Sequence, residues 1–185
     1  MYIEPMQMRL RDGRRIVLRS PEPEDAAADL SCMRQVAGET EFLLNAPEDV
    51  SADANRHAVA LEDVRDDPYQ LLLLCLDGEE VVGRLHGFVK PRMKVRHRFR
   101  LGLSVCRAYW GQGLATAMLH TAARVAREME CMQIELEVMA HNHRAVRLYE
   151  REGYHIAMVH PQAVCLDDGR MMDEYLMIID CEENP

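Results

Sequence analysis

Two short stretches carry residues whose types and spacing suit chemistry. In Trp110-Gly111-Gln112-Gly113-Leu114-Ala115, two glycines separate the end of an apolar run from the start of a helical pattern. A helix N-terminus has backbone N–H groups without helical partners and a partial positive charge, so it attracts phosphate. Glycine lacks a Cβ, so a pyrophosphate can approach the main chain closely, and no lysine is required. The same residues also make a plain tight turn. They do not form G-x-G-x-x-G, because Leu114, Ala115 and Thr116 follow Gly113, and no Gly-Lys-Ser/Thr is present. The second stretch holds Asn142 and Tyr149 on one short helical segment. Their i, i+7 spacing puts an amide and a phenol on one helix face. Read blandly, Asn142 is an N-cap and Tyr149 a packed ring.

The surrounding pattern predicts elements that would position both stretches. Arg15 to Arg19 alternates as a short strand. An alanine-rich helix is expected from about Glu24 to Ala37, and a second from Asp53 to Arg65, opened by Ser51 as N-cap and ended before Pro68. Leu71 to Leu76 reads as a buried strand, Asp77-Gly78 as a hairpin turn and Glu80 to Val89 as the returning strand. After a basic connection from Pro91 to Arg98, Phe99, Leu101, Leu103 and Val105 alternate as a strand. Leu114, Met118, Ala122, Val125 and Met129 then mark an amphipathic helix. Ile134, Leu136 and Val138 alternate again. Asn142 to Glu152 is a short helix closed by Gly153, and two strands, Tyr154 to Cys165 and Met171 to Ile179, flank a turn at Asp167-Asp168-Gly169. The pattern is a mixed sheet flanked by helices, α/β or α+β.

The chain has 185 residues, 48% apolar and 29% charged, which suits one globular domain, and no internal boundary is visible. No apolar stretch reaches membrane-spanning length, and the N-terminus does not read as a signal peptide, so a cytoplasmic location is expected. The six cysteines form no C-x-x-C pair and read as reduced, buried thiols. His141 and His143 lack a third ligand at suitable spacing, so no metal is expected. The net charge of -9 argues against a general nucleic-acid binder and leans slightly toward a cationic substrate.

With both stretches in view, the chain resembles the GCN5-related N-acetyltransferase (GNAT) superfamily from about Arg14 to Ile179. Its signature is Gln or Arg, two residues, Gly, one residue, then Gly or Ala. Here that stretch is Trp110, Gly111-Gln112, Gly113, Leu114, Ala115, with Trp110 in the first place. The wording Tyr-Trp-Gly-x-Gly-x-Ala-Thr looks like the branch that includes ribosomal-protein N-terminal acetyltransferases. Asn142 to Tyr154 is similar to the family's Asn-x-x-Ala-x-x-Leu-Tyr-x-x-x-Gly-Phe element, with Tyr154 for Phe.

The resemblance implies a mostly antiparallel central sheet, a single acetyltransferase domain over 1–185, and acetyl-CoA as co-substrate without a metal. Main-chain groups of Leu103, Ser104 and Val105 would pair with the pantetheine arm. The amides of Gly111, Gln112, Gly113, Leu114, Ala115 and Thr116 would hold the pyrophosphate. Asn142 would cap its helix, bind the cofactor or substrate region, or do both. Trp110 reads as core rather than as a cofactor contact. Tyr149 would protonate the departing thiolate, since a tyrosine hydroxyl near pKa 10 and a thiol near 8.5 are matched for that transfer. No carboxylate stands on the strand from Phe99 to Ser104, so the base is unassigned, with His86, Glu135, Glu137 and Asp173 as candidates. The acceptor would be a primary amine: a small molecule, an amino acid, a polyamine or a protein N-terminus. The alternative is a non-catalytic acyl-CoA-binding or sensing module on the same fold. A small-molecule or peptide partner is expected, with no nucleic acid and no membrane, and the family leaves a homodimer open. The stretch Arg92 to Arg100 could touch the cofactor's 3′-phosphate or an acidic partner, but reads first as a solvated basic connection.

Overall fold

The alternating and continuous apolar runs form the expected strands. The computed structural model describes residues 1–181. In chain order the elements are β1 (Met6–Arg9), β2 (Arg15–Arg19), α1 (Ala26–Glu39), α2 (Ala54–Asp66), β3 (Gln70–Asp77), β4 (Glu80–Val89), β5 (Arg98–Val105), α3 (Leu114–Glu128), β6 (Gln133–Met139), α4 (His143–Arg151), β7 (His155–Cys165) and β8 (Met171–Asp180). The strand order is β1-β2-β3-β4-β5-β6-β8-β7. The ladders β1–β2, β2–β3, β3–β4, β6–β8 and β7–β8 are antiparallel, and β5–β6 is parallel. This is the mixed, mostly antiparallel α/β arrangement anticipated from the sequence.

The described residues group into two compact units, each drawn from separated stretches of chain. The first comprises Met1–Phe88 and Leu103–Ala122; the second comprises Val89–Gly102 and the described residues from Ala123 on. In the first unit, β3 is buried along its length, which explains its unbroken apolar run. Leu72, Leu74 and Leu76 pack in one cluster with Cys32 and Val36 of α1 and Leu61 of α2. Each such fully buried side chain contributes about 1.5–3 kcal/mol. Within this shell lies a charge: Asp29, fully buried, meets His57 Nε2 at 2.9 Å and Arg84 Nε at 3.3 Å, tying α1, α2 and β4 together.

In the second unit, β6 inserts Ile134, Leu136 and Val138 into the core, and β8 contributes Met177 and Ile179. Strand β7 lies at the outer edge and is exposed over most of its length. Asp173 accepts from the Gln162 amide at 2.9 Å, at the irregularity in this edge ladder.

Three local expectations need correction. Helix α2 is capped by Asp53, whose Oδ1 accepts from Arg56 N at 3.0 Å, and not by Ser51. An N-cap must reach an amide two or three residues ahead within the helix. Ser51 is two residues too early and instead accepts from Asp53 N at 3.1 Å. Strand β1 was not anticipated, because four residues on a sheet edge carry little pattern. The alternation in β5 also fails at Leu103, which is half-buried while Phe99, Leu101 and Val105 are buried.

Candidate active site

Around the glycine turn, the chain leaves β5, makes one short turn over Arg107–Tyr109, and passes through Trp110 to Gly113 before α3 begins at Leu114. Gly111 and Gly113 have φ of +75° and +93°, backbone that side-chain-bearing residues rarely adopt. A Cβ at Gly113 would meet no atom within 4 Å, so open space lies beside this main chain. At this end a helical rung runs from Ala117 N to Gly113 O, 3.1 Å. The amides of Gly113, Leu114 and Ala115 therefore lie ahead of the ladder. Backbone donors, a helix dipole and free space fit a pyrophosphate.

The turn is braced through its other groups. Arg11 Nη1 donates to Gly111 O at 3.2 Å, and Asp12 N donates to Gln112 Oε1 at 3.1 Å. Arg14 donates to Ala108 O at 3.1 Å and lies 4.0 Å over the Tyr109 ring, while Tyr109 donates to Asp77 at 2.9 Å. Arg107 binds Glu39 through its amide, 2.6 Å, and through its guanidinium. None of these braces was found from the sequence. Their partners lie far apart in the chain, and a scattered arginine carries no periodic signal.

Trp110, expected as core, is only half-buried. Its indole N–H donates to Val105 O at 2.7 Å, closing the end of β5. Of the three residues expected to meet a pantetheine arm, Val105 thus already has its carbonyl engaged. The β5–β6 ladder comprises Arg98–Gln133, Phe99–Ile134 and Arg100–Glu135. Leu103, Ser104 and Val105 lie beyond this register, so main-chain groups on that strand edge are outside the parallel ladder.

On α4, Asn142 is the N-cap: its Oδ1 accepts from Ala145 N at 3.2 Å. Its side-chain NH2 has no partner among the described residues. The helix ends in a left-handed cap at Gly153, φ +92°, with Tyr154 N donating to Tyr149 O at 2.9 Å and Gly153 N to Glu150 O at 3.1 Å. A Cβ at Gly153 would approach Ile179 Cδ1 to 3.0 Å, so that side chain would have to shift, and the positive φ is what favours glycine here. Tyr149 is buried, and burial pushes its hydroxyl up to about 12. It therefore stays a proton donor throughout the neutral range. Its ring lies 5.8 Å from that of Tyr154. The Tyr154 hydroxyl, also pushed up by burial, has no hydrogen-bond partner among the described residues.

The four candidate bases differ sharply. Glu135 is almost fully buried. Arg98 grips it through two nitrogens, and Arg100 Nε lies 3.2 Å away. Burial alone would raise this carboxyl, but the arginines outweigh it and hold it below the usual range. His86 is lowered by burial and then by the Arg84 charge, and its Nε2 lies 2.9 Å from Gln70 Oε1. Asp173 is taken up by the Gln162 amide. Glu137 is half-exposed and pairs with Arg100 at 3.2 Å. Nearby, the Glu174 carboxyl is raised by burial and by the Glu137 charge.

Residues 37–154 match the model of the acetyltransferase (GNAT) family. The chain belongs to this family. A Bacillus subtilis (strain 168) protein described as the uncharacterized N-acetyltransferase YdgE is 35% identical over 78 residues, 42% of this chain and 50% of that protein. The chain spans about half the length of the curated relatives it matches. Among solved structures, the acetyltransferase of the GNAT family from Streptococcus pneumoniae has a TM-score of 0.83 and 25% identity, covering 89% of this chain and 99% of that one. The YncA protein of Salmonella typhimurium, a putative acetyltransferase solved with its cofactor acetyl-CoA, has a TM-score of 0.77 and 19% identity, covering 91% and 95%. These likenesses extend the GNAT fold well beyond the matched segment. No helix among the described residues is long and apolar enough to cross a membrane.

Proposed function

We propose that this GNAT family member is an N-acetyltransferase that moves an acetyl group from acetyl-CoA to a primary amine by direct attack, the whole chain acting as one domain. The observation that carries the reading is the open glycine turn ahead of α3, with two left-handed glycines and main-chain donors. Bound acetyl-CoA would supply an activated thioester. The amides of Gly111 to Thr116 would hold its pyrophosphate, and the outer main chain of Leu103 and Ser104 its pantetheine arm. Asn142 would offer its remaining NH2 while capping α4. Tyr149 would donate its proton to the departing sulfur; burial keeps the hydroxyl protonated but makes it a weaker acid than an ordinary tyrosine, so the transfer is tied to the thiolate charge that forms as the bond breaks.

The amine must lose a proton. Glu135 is locked by two arginines, so Glu137, the exposed candidate, is the better acceptor, with water as the carrier. The acceptor is a small amine, an amino acid, a polyamine or a protein N-terminus. The test is thiol release from acetyl-CoA across a panel of those amines. Turnover with at least one acceptor supports the reading. Tight acetyl-CoA binding with no turnover on any acceptor would replace it with the acyl-CoA-sensing module.

A further inference from the structure

The loop between β4 and β5 is unlike the rest of the chain. Residues 90–100 hold six of the 22 lysines and arginines and no Asp or Glu, and they include both lysines of the protein. That is +6 within a net of -9, leaving -15 for the remainder. Lys90, Arg92, Lys94 and Arg96 are exposed, and none has a side-chain partner among the described residues. By contrast, Arg98 and Arg100 are paired with Glu135 and Glu137.

The loop is built rather than merely solvated. Val95 N and Arg96 N both donate to Arg92 O at 2.9 Å, and Met132 N and Gln133 N fasten His97 O at 2.8 and 3.1 Å. Beside it lies a cleft of about 230 Å³ lined by Lys90, Val95, Arg98, Arg100 and Glu135. Arg98 donates to Glu135 through Nε and Nη2, whereas Arg100 donates to Glu135 through Nε and to Glu137 through Nη2. The Nη1 groups of Arg98 and Arg100 have no hydrogen-bond partner among the described residues. Lys90, Arg98 and Arg100 thus line the cleft with Glu135 as its one carboxylate, and each guanidinium keeps a nitrogen for a second one.

We propose that this loop and cleft form a docking site for a short acidic peptide segment. One carboxylate side chain enters the cleft between Lys90 and the arginine pair, and its neighbours lie along Arg92, Lys94 and Arg96. A long nucleic acid is disfavoured, because beyond this single loop it would meet a surface of opposite preference, -15 overall. The test does not depend on the proposed acetyl transfer, since binding is read directly and not through turnover.

The test is fluorescence anisotropy with a labelled hexaglutamate peptide and its hexaglutamine counterpart, on the full chain. The wild type should bind the glutamate peptide selectively and lose affinity as salt rises. The combined variant Lys90→Gln, Arg92→Gln, Lys94→Gln, Arg96→Gln should bind it about tenfold more weakly, the sum expected of several exposed ion pairs. The variant Lys90→Arg, Lys94→Arg should restore wild-type binding, which separates charge from any packing effect. Acetyl-CoA affinity should not change in either variant. Equal binding of the two peptides, or an unaltered affinity in the neutralised variant, would overturn the proposal. So would tighter binding of a single-stranded oligonucleotide. A loss of acetyl-CoA affinity greater than that for its dephospho form would reassign the loop to the cofactor.

Discussion

Between Trp110 and Ala115 the protein presents main chain: two glycines in left-handed backbone, amides ahead of a helix, and empty space where a Cβ would stand. Between Asn142 and Tyr149 it presents side chains: a capping amide and a phenol whose ring is buried. The first region contains no ionisable group of its own from Trp110 to Ala115, so its attraction for an anion should be flat across neutral pH. The second is titratable, but burial moves Tyr149 up to about 12. On the proposed reading the two regions divide holding from proton transfer, and they can be perturbed one at a time.

The largest expected effect lies on the α4 side. Tyr149→Phe should lower kcat by about 10²–10⁴-fold, the range for losing a positioned general acid, while acetyl-CoA affinity holds. Steady-state thiol release beside calorimetry checks this, and an unchanged kcat in a folded variant would remove Tyr149 from the mechanism. The same residue shapes alkaline stability. Its folded pKa lies above the unfolded value of about 10, so its contribution is complete below pH 10 and disappears as pH rises through about 12. Tyr149→Phe should flatten that part of a stability–pH curve.

Next in size is Glu135→Gln. Removing a buried charge that two arginines share should cost about 3 kcal/mol, read as a fall in Tm or denaturant midpoint. The wild-type carboxyl is held below its ordinary range, so its contribution is present above that range and is lost as pH falls through the lowered value. The variant should lack this acid limb.

Smaller effects of opposite sign sharpen the contrast on α4. Tyr154 stands where the family motif has Phe, and its buried hydroxyl has no partner among the described residues. Tyr154→Phe should therefore stabilise by about 1 kcal/mol, and a clear loss of stability would reveal a partner. Asn142→Ala removes the cap to Ala145 and should cost about 1 kcal/mol. A fall in kcat/KM beyond the loss explained by unfolding would add a ligand contact to the capping role.

Most of the scaffold was readable because burial follows periodicity. Leu71 to Leu76, the α3 stripe from Leu114 to Val125 and the alternation of Ile134, Leu136 and Val138 all lie where two- and 3.6-residue periods place them. The glycine turn was readable because only glycine takes those backbone angles readily. What stayed hidden depends on pairing between distant residues. Arg98, Arg100 and Glu135 look like unrelated surface charges until β5 and β6 are set in parallel register. Asp29 looked like an ordinary helix residue until His57 and Arg84 closed on it. The Ser51 cap failed by two residues because two capping residues, Ser51 and Asp53, stand close together, and the sequence does not rank them.

The division between a holding turn and a reacting helix is tested most directly by calorimetric titration of acetyl-CoA into wild type, Gly113→Val and Tyr149→Phe. A β-branched residue at φ +93° distorts the turn at a cost of about 1–3 kcal/mol and fills the open space beside it. Acetyl-CoA should bind the wild type saturably, lose at least tenfold in affinity for Gly113→Val, and keep wild-type affinity for Tyr149→Phe. Equal binding by wild type and Gly113→Val would contradict that division, because the turn would then not be where the cofactor is held.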